Sequence, residues 1–112
     1  MYKMEAKTPK EILEKDLPGR FKADKAKGID TVVQIDIKGP RGGSWTATIR
    51  DQKMEVKEGT SPSPKLTVEM AETDFLDLVN GKLDGIMAFF TGKLKLKGDV
   101  AVALKLRDAG FL

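Results

Sequence analysis

TVVQIDIKGPRGGSWTATIRDQKMEVK, residues 31–57, alternates apolar and polar side chains with a period of two. Val33, Ile35 and Ile37 alternate with Gln34, Asp36 and Lys38. Trp45, Ala47 and Ile49 are set against Thr46, Thr48 and Arg50, and Met54 and Val56 against Lys53, Glu55 and Lys57. Successive side chains of a strand point to opposite faces, so the stretch reads as three strands, each with one apolar face. The Gly39 to Gly43 loop and the tight Asp51-Gln52 turn join them as a meander.

Farther along, Leu66, Val68 and Met70 alternate with Lys65, Thr67 and Glu69, and Leu94 and Leu96 with Lys93, Lys95 and Lys97. Five strands thus carry the same pattern. It implies a sheet covered on one face and wet on the other, with the helices sharing the covered face.

Helical signals fill the remaining segments. Thr8 can cap a helix with Pro9 at its first position and Glu11 completing a capping box, and Ile12, Leu13 and Leu17 give that helix one apolar face. Pro18-Gly19 is expected to end it, and Asp24 to Lys27 to form a further short turn over Phe21. Residues 58–64, rich in Gly, Ser and Pro, read as a crossover to the fourth strand. A helix over 72–80 presents Phe75, Leu76, Leu78 and Val79 and stops at Gly81. A second follows Asp84 with Ile86, Met87, Phe89 and Phe90, and Asp99 caps a last one containing Val100, Val102, Leu104 and Leu106.

The last helix carries more apolar surface than a sheet requires. Val100, Ala103, Leu104 and Phe111 form one stripe, and Val102, Leu106 and Ala109 another, beyond the arc of a little over 100° that packing needs. The surplus fits a neighbouring helix, a homodimer contact or a lipid site between helices and sheet, and periodicity does not choose among them.

Composition narrows the chemistry. The chain has 112 residues, 40% apolar and 33% charged, with no cysteine and no histidine. Disulfides, thiol nucleophiles, Cys or His metal ligands and the commonest general base are excluded. One domain is expected over 1–112, with residues 1–7 as a flexible N-terminus. The first twenty residues carry four lysines and no signal-peptide core, so a cytoplasmic chain without a membrane span is expected.

Twenty basic residues against seventeen acidic ones leave only +3, too even a balance to expect nucleic acid. Lys93, Lys95 and Lys97 can meet phosphates of acidic membranes or nucleic acid, or guard an edge strand. Asp74 and Asp77 lie opposite the Phe75 face and read as solvated. The Gly39 to Gly43 loop has no Lys-Ser/Thr sequel and is a hairpin loop, not a phosphate cradle. Ser44, Ser61 and Ser63 fall in or beside turn-rich segments.

At residues 88–99, AFFTGKLKLKGD, the chain resembles the sterol carrier protein 2 family of lipid-transfer domains. LPGRF at 17–21, the Gly-Gly-Ser-Trp run ending at Trp45, DFLDLVNGKL at 74–83 and ALKL at 103–106 follow in family order, so the resemblance covers roughly residues 10–112. Gly85 stands where many members carry Pro, and Gln52 fills a turn where Gly or Asn is expected.

The resemblance implies an α+β fold: a five-stranded mixed, mainly antiparallel sheet in order 3-2-1-4-5, with helices on one face and a hydrophobic tunnel between the layers. It implies a carrier of sterol, fatty acid, fatty acyl-CoA or phospholipid that performs no chemistry and needs no cofactor or metal. Trp45, Phe75, Leu78, Val79, Ile86, Phe89, Phe90, Val102 and Leu106 are the lining expected on this basis. The expected partners are the lipid itself, a transiently contacted membrane and a lipid-metabolising enzyme. An accessory or dimerisation domain, or a surface binder using the lysine ridge, is the alternative.

Overall fold

A computed structural model describes residues 8–109. The expected flexible N-terminus at 1–7 and the stripe position assigned to Phe111 lie outside the described residues. Strands β1 (Thr31–Lys38), β2 (Gly43–Arg50), β3 (Lys53–Glu58), β4 (Leu66–Ala71) and β5 (Leu94–Gly98) form one sheet in the order β3-β2-β1-β4-β5. Its one parallel pair is β1 with β4; the others are antiparallel.

Register puts like beside like. Ile35 stands opposite Trp45 and Val68, and Val68 opposite Leu96. The apolar alternates of the strands therefore share one face, where Val33, Ile35, Ala47 and Ile49 are wholly buried, while Gln34, Asp36, Thr46 and Thr67 remain half-exposed. The mixed sheet with helices on one face is the expected one.

The first helix departs from its reading. Its cap forms as expected: Thr8 Oγ1 accepts the Glu11 N–H at 3.2 Å. But α1 (Pro9–Glu11) runs through a π-helical segment, Ile12–Asp16, into α2 (Leu17–Arg20), so Pro18-Gly19 does not end it. The Leu17 N–H donates to the Ile12 carbonyl, five residues back. This wider turn accommodates Pro18, whose ring would press on a carbonyl four residues earlier in a regular helix. Leu13 and Leu17 are completely buried beneath it, and extended Phe21 stops the helix. The next short turn is 3-10 and spans Ala23–Ala26, one residue earlier than expected.

The Asp51-Gln52 turn keeps its geometry without glycine. Both residues have positive φ, 53° and 62°, as a tight antiparallel hairpin demands. Gln52 Nε2 donates to the Ala23 carbonyl at 3.1 Å, a tie that fixes its side chain.

Helices α3 (Glu72–Val79), α4 (Gly85–Phe90) and α5 (Val100–Asp108) cover the β1, β4 and β5 side of the sheet. Asp84 accepts the Met87 N–H at 3.1 Å and Asp99 the Val102 N–H at 3.3 Å, so both expected caps form. Gly98, with φ +105°, sits so close to Lys65 that a Cβ there would collide with the Lys65 carbonyl oxygen. That close approach brings α5 directly over β4.

Candidate functional site: an apolar cavity between α4, α5 and the sheet

The core fills the sheet's covered face on the β1, β2 and β3 side, but between α4 and α5 it leaves a cavity of about 290 Å³. Leu66, Val68, Leu94 and Leu96 form its floor on β4 and β5. Leu78 of α3, Gly85, Ile86, Phe89 and Phe90 of α4, and Val100, Ala103, Leu104, Leu106 and Arg107 of α5 form its walls. The volume stands at the small end of ligand-holding pockets, about 300–1,000 Å³.

Among the lining residues only Arg107 is charged. It belongs to the rim, where its Nη2 lies 3.7 Å from Asp84 Oδ1 and both side chains are about half exposed. No carboxylate, hydroxyl or amide side chain enters the lining, so the cavity has nothing to orient a polar substrate. It suits hydrocarbon.

The mouth is also apolar. Phe90 is 76% exposed and Leu104 60%, with Ile86, Phe89 and Val100 near 40%, and Met87, beside them on α4 but outside the lining, is 56% exposed. Among the described residues, all the large exposed hydrophobic side chains belong to α4 and α5. The Phe89 and Phe90 rings stand 5.7 Å apart and tilted by 59°.

The two stripes of α5 meet at Leu106, which is buried in the core and also lines the cavity. Leu106 and Ala109 are buried, and Val102 packs with them on the core. Val100, Ala103 and Leu104 turn to the cavity.

Of the residues expected from the sequence, Leu78, Ile86, Phe89, Phe90 and Leu106 come together here, and Trp45, Phe75, Val79 and Val102 do not. Trp45 lies on β2, where its indole Nε1 donates to Glu14 Oε2 at 2.9 Å. That bond holds it under the first helix, with β1 between its strand and β4. Phe75 is wholly buried core, and Val79 and Val102 pack against that core. The reading missed the floor and the Val100-Leu104 pair. Strand alternation turns Leu66, Val68, Leu94 and Leu96 toward the helices, and helical spacing already sets Val100, Ala103 and Leu104 in one stripe of the last helix, but the expected lining took Val102 and Leu106 from the other stripe.

Other flagged residues have local duties. Ser44 donates to Asp36 Oδ1 at 2.7 Å, and the Ser61 N–H to Gln34 Oε1 at 3.3 Å. The Arg41 N–H in the glycine-rich loop donates to Glu72 Oε1 at 2.9 Å, so that loop holds a carboxylate of its own chain. Lys95 and Lys97 are exposed on β5, an edge of the sheet, and Lys93 is exposed just before it.

The chain matches the model of the SCP-2 sterol transfer family over residues 10–109. It belongs to that family. Against hydroxysteroid dehydrogenase-like protein 2 of Mus musculus it is 40% identical over 77 residues, covering 67% of this chain and 16% of that protein. Against sterol carrier protein 2 of Homo sapiens it is 33% identical over 85 residues, covering 73% and 16%. The chain thus spans about a sixth of the length of these curated SCP-2 relatives. Among solved structures, sterol carrier protein 2 like 2 of Aedes aegypti superposes with a TM-score of 0.70 at 26% identity, covering 88% of this chain and 89% of that one.

Proposed function

We propose that this chain is a lipid carrier: it holds the hydrocarbon part of a fatty acid, fatty acyl-CoA, sterol or phospholipid in the cavity and performs no chemistry on it. The observation that carries this is a lining apolar throughout except for one rim arginine. Leu78, Ile86, Phe89, Phe90 and Leu106 would touch the tail; Phe75, Val79 and Val102 would support the walls from the core side, and Trp45 would hold the first helix on the other half of the sheet. Membership of a sterol-transfer family supports the ligand class.

Energetics support it too. About 15 buried methylenes at about 0.8 kcal/mol each give roughly 12 kcal/mol, against association and ordering costs of about 4 to 15. At the low end of those costs about 8 kcal/mol remains, which is micromolar binding without a strong polar contact. The same low directionality implies weak selectivity among tails of similar length.

The exposed rim of α4 and α5 fits transient contact with a bilayer, through which a tail would pass between membrane and cavity without crossing water. Relatives in which this domain is about a sixth of a dehydrogenase-like protein favour a lipid-metabolising enzyme as partner. No helix of the described residues is long and apolar enough to cross a membrane, and work in the cytoplasm fits a chain without cysteine.

Titrating saturated fatty acids into delipidated protein tests the reading. Affinity should rise by up to roughly fourfold per methylene and level off when the cavity is full. A flat response from about eight to about eighteen carbons would overturn it. The exposed rim also fits a second copy of the chain. Sedimentation showing a dimer that Phe90→Ser dissociates, with no tail binding, would favour that reading.

A further inference from the structure

Four lysines of this chain share one concavity away from the apolar cavity. Lys22, Lys25, Lys27 and Lys105, with Gly28 and Ile29, line a second concavity of about 420 Å³. The backbone builds it. The Lys22 N–H donates to the Ala109 carbonyl at 2.7 Å, tying the 3-10 turn to the end of α5, and the Ile29 N–H donates to the Ala26 carbonyl at 3.0 Å. Gly28, with φ +82°, turns the chain between them. Buried Ala26 and Ile29 anchor the segment.

All four lysines are exposed, and none pairs with a carboxylate among the described residues. The neighbouring Asp30 is turned to Arg50, 3.7 Å away, and Asp24 is not part of the walls. Twenty basic residues less these four leaves sixteen against seventeen acidic ones, so the rest of the chain is slightly negative. Like charges lining one concavity add their fields within it. A multiply charged anion would meet several of them at once. The basin shares no residue with the apolar cavity and lies on another side of α5, so it stands independently of the carrier reading.

We propose that this basin is a binding site for phosphate groups, borne by a soluble phosphorylated compound or by a phospholipid headgroup. Inorganic pyrophosphate, titrated into the intact chain at low salt, should move the amide resonances of residues 22–29 and of Lys105. Lys25→Gln/Lys27→Gln should weaken it about tenfold, and added salt should erode the difference. Lys95→Gln/Lys97→Gln makes the same charge change on β5 and should leave affinity within about twofold.

Vesicles of phosphatidylglycerol, compared with phosphatidylcholine, form the second arm. Pyrophosphate binding that only the basin variant loses assigns a soluble phosphate. Loss confined to phosphatidylglycerol vesicles assigns a headgroup, and loss in both arms supports the site for either source. Equal weakening by the two double variants, or no binding of either probe, overturns the proposal. Fatty-acid affinity of the basin variant should be unchanged, so the two sites fail or stand separately.

Discussion

Glu14 holds two partners on one oxygen: the Trp45 indole N–H at 2.9 Å and the Lys10 ammonium at 3.2 Å. The tryptophan hydrogen bond first, and the lysine after it, keep its carboxyl below the ordinary value of 4.5. A carboxylate depressed in the folded state contributes stability above its unfolded pKa and loses it as pH falls through the folded one. Wild type should therefore lose urea resistance below pH 4.5 more steeply than Glu14→Gln, which lacks that titration. Thr31 is 4% exposed and its hydroxyl has no hydrogen-bond partner among the described residues. Thr31→Val keeps the shape and removes an unsatisfied group, so it should raise unfolding stability by about 1 kcal/mol. Trp45 marks a limit of sequence reading at this scale. Alternation put it on the covered face, but only the Glu14 partner, thirty-one residues away, decides which part of that face.

Elements were legible where one period held over a whole segment. All five strands follow their alternation because a one-residue slip would put every apolar side chain in water. The first helix was less so, since Pro18 reads as a stop and the π turn that accommodates it depends on burial of Leu13 and Leu17. Lys95 and Lys97 belong to β5, a strand paired on one side only, and Lys93 directly precedes it. Unpaired edges invite other strands, and lysine discourages them. Lys93→Gln/Lys95→Gln/Lys97→Gln should lower solubility, seen as light scattering at high concentration, while fatty-acid affinity stays within about twofold. A clear fall in affinity that salt reproduces would instead assign the ridge to headgroup contact.

At the scale of the whole molecule, the deciding quantity is apolar surface that the core does not use. The sequence showed a surplus on α5 but not which stripe was surplus, because both have helical spacing and the choice rests on how α5 crosses β4 beside Gly98. The structure turns Val100, Ala103 and Leu104 to the cavity, and this makes Ala103 the position at which to fill it. In Ala103→Phe the ring should occupy space otherwise taken by about three methylenes. Long-chain affinity should then fall by roughly 2.4 kcal/mol, about fiftyfold, and the plateau should move to shorter chains. Short chains should bind within about threefold of wild type, since they leave that space empty. The ligand-free protein should keep its thermal midpoint, whereas an already closed core would be overpacked at a cost of about 1–3 kcal/mol. Calorimetry of the free protein and a fatty-acid series on the same samples separate the outcomes. A lowered midpoint with no shift of the plateau would mean that α4 and α5 close over the sheet and leave no room for a tail.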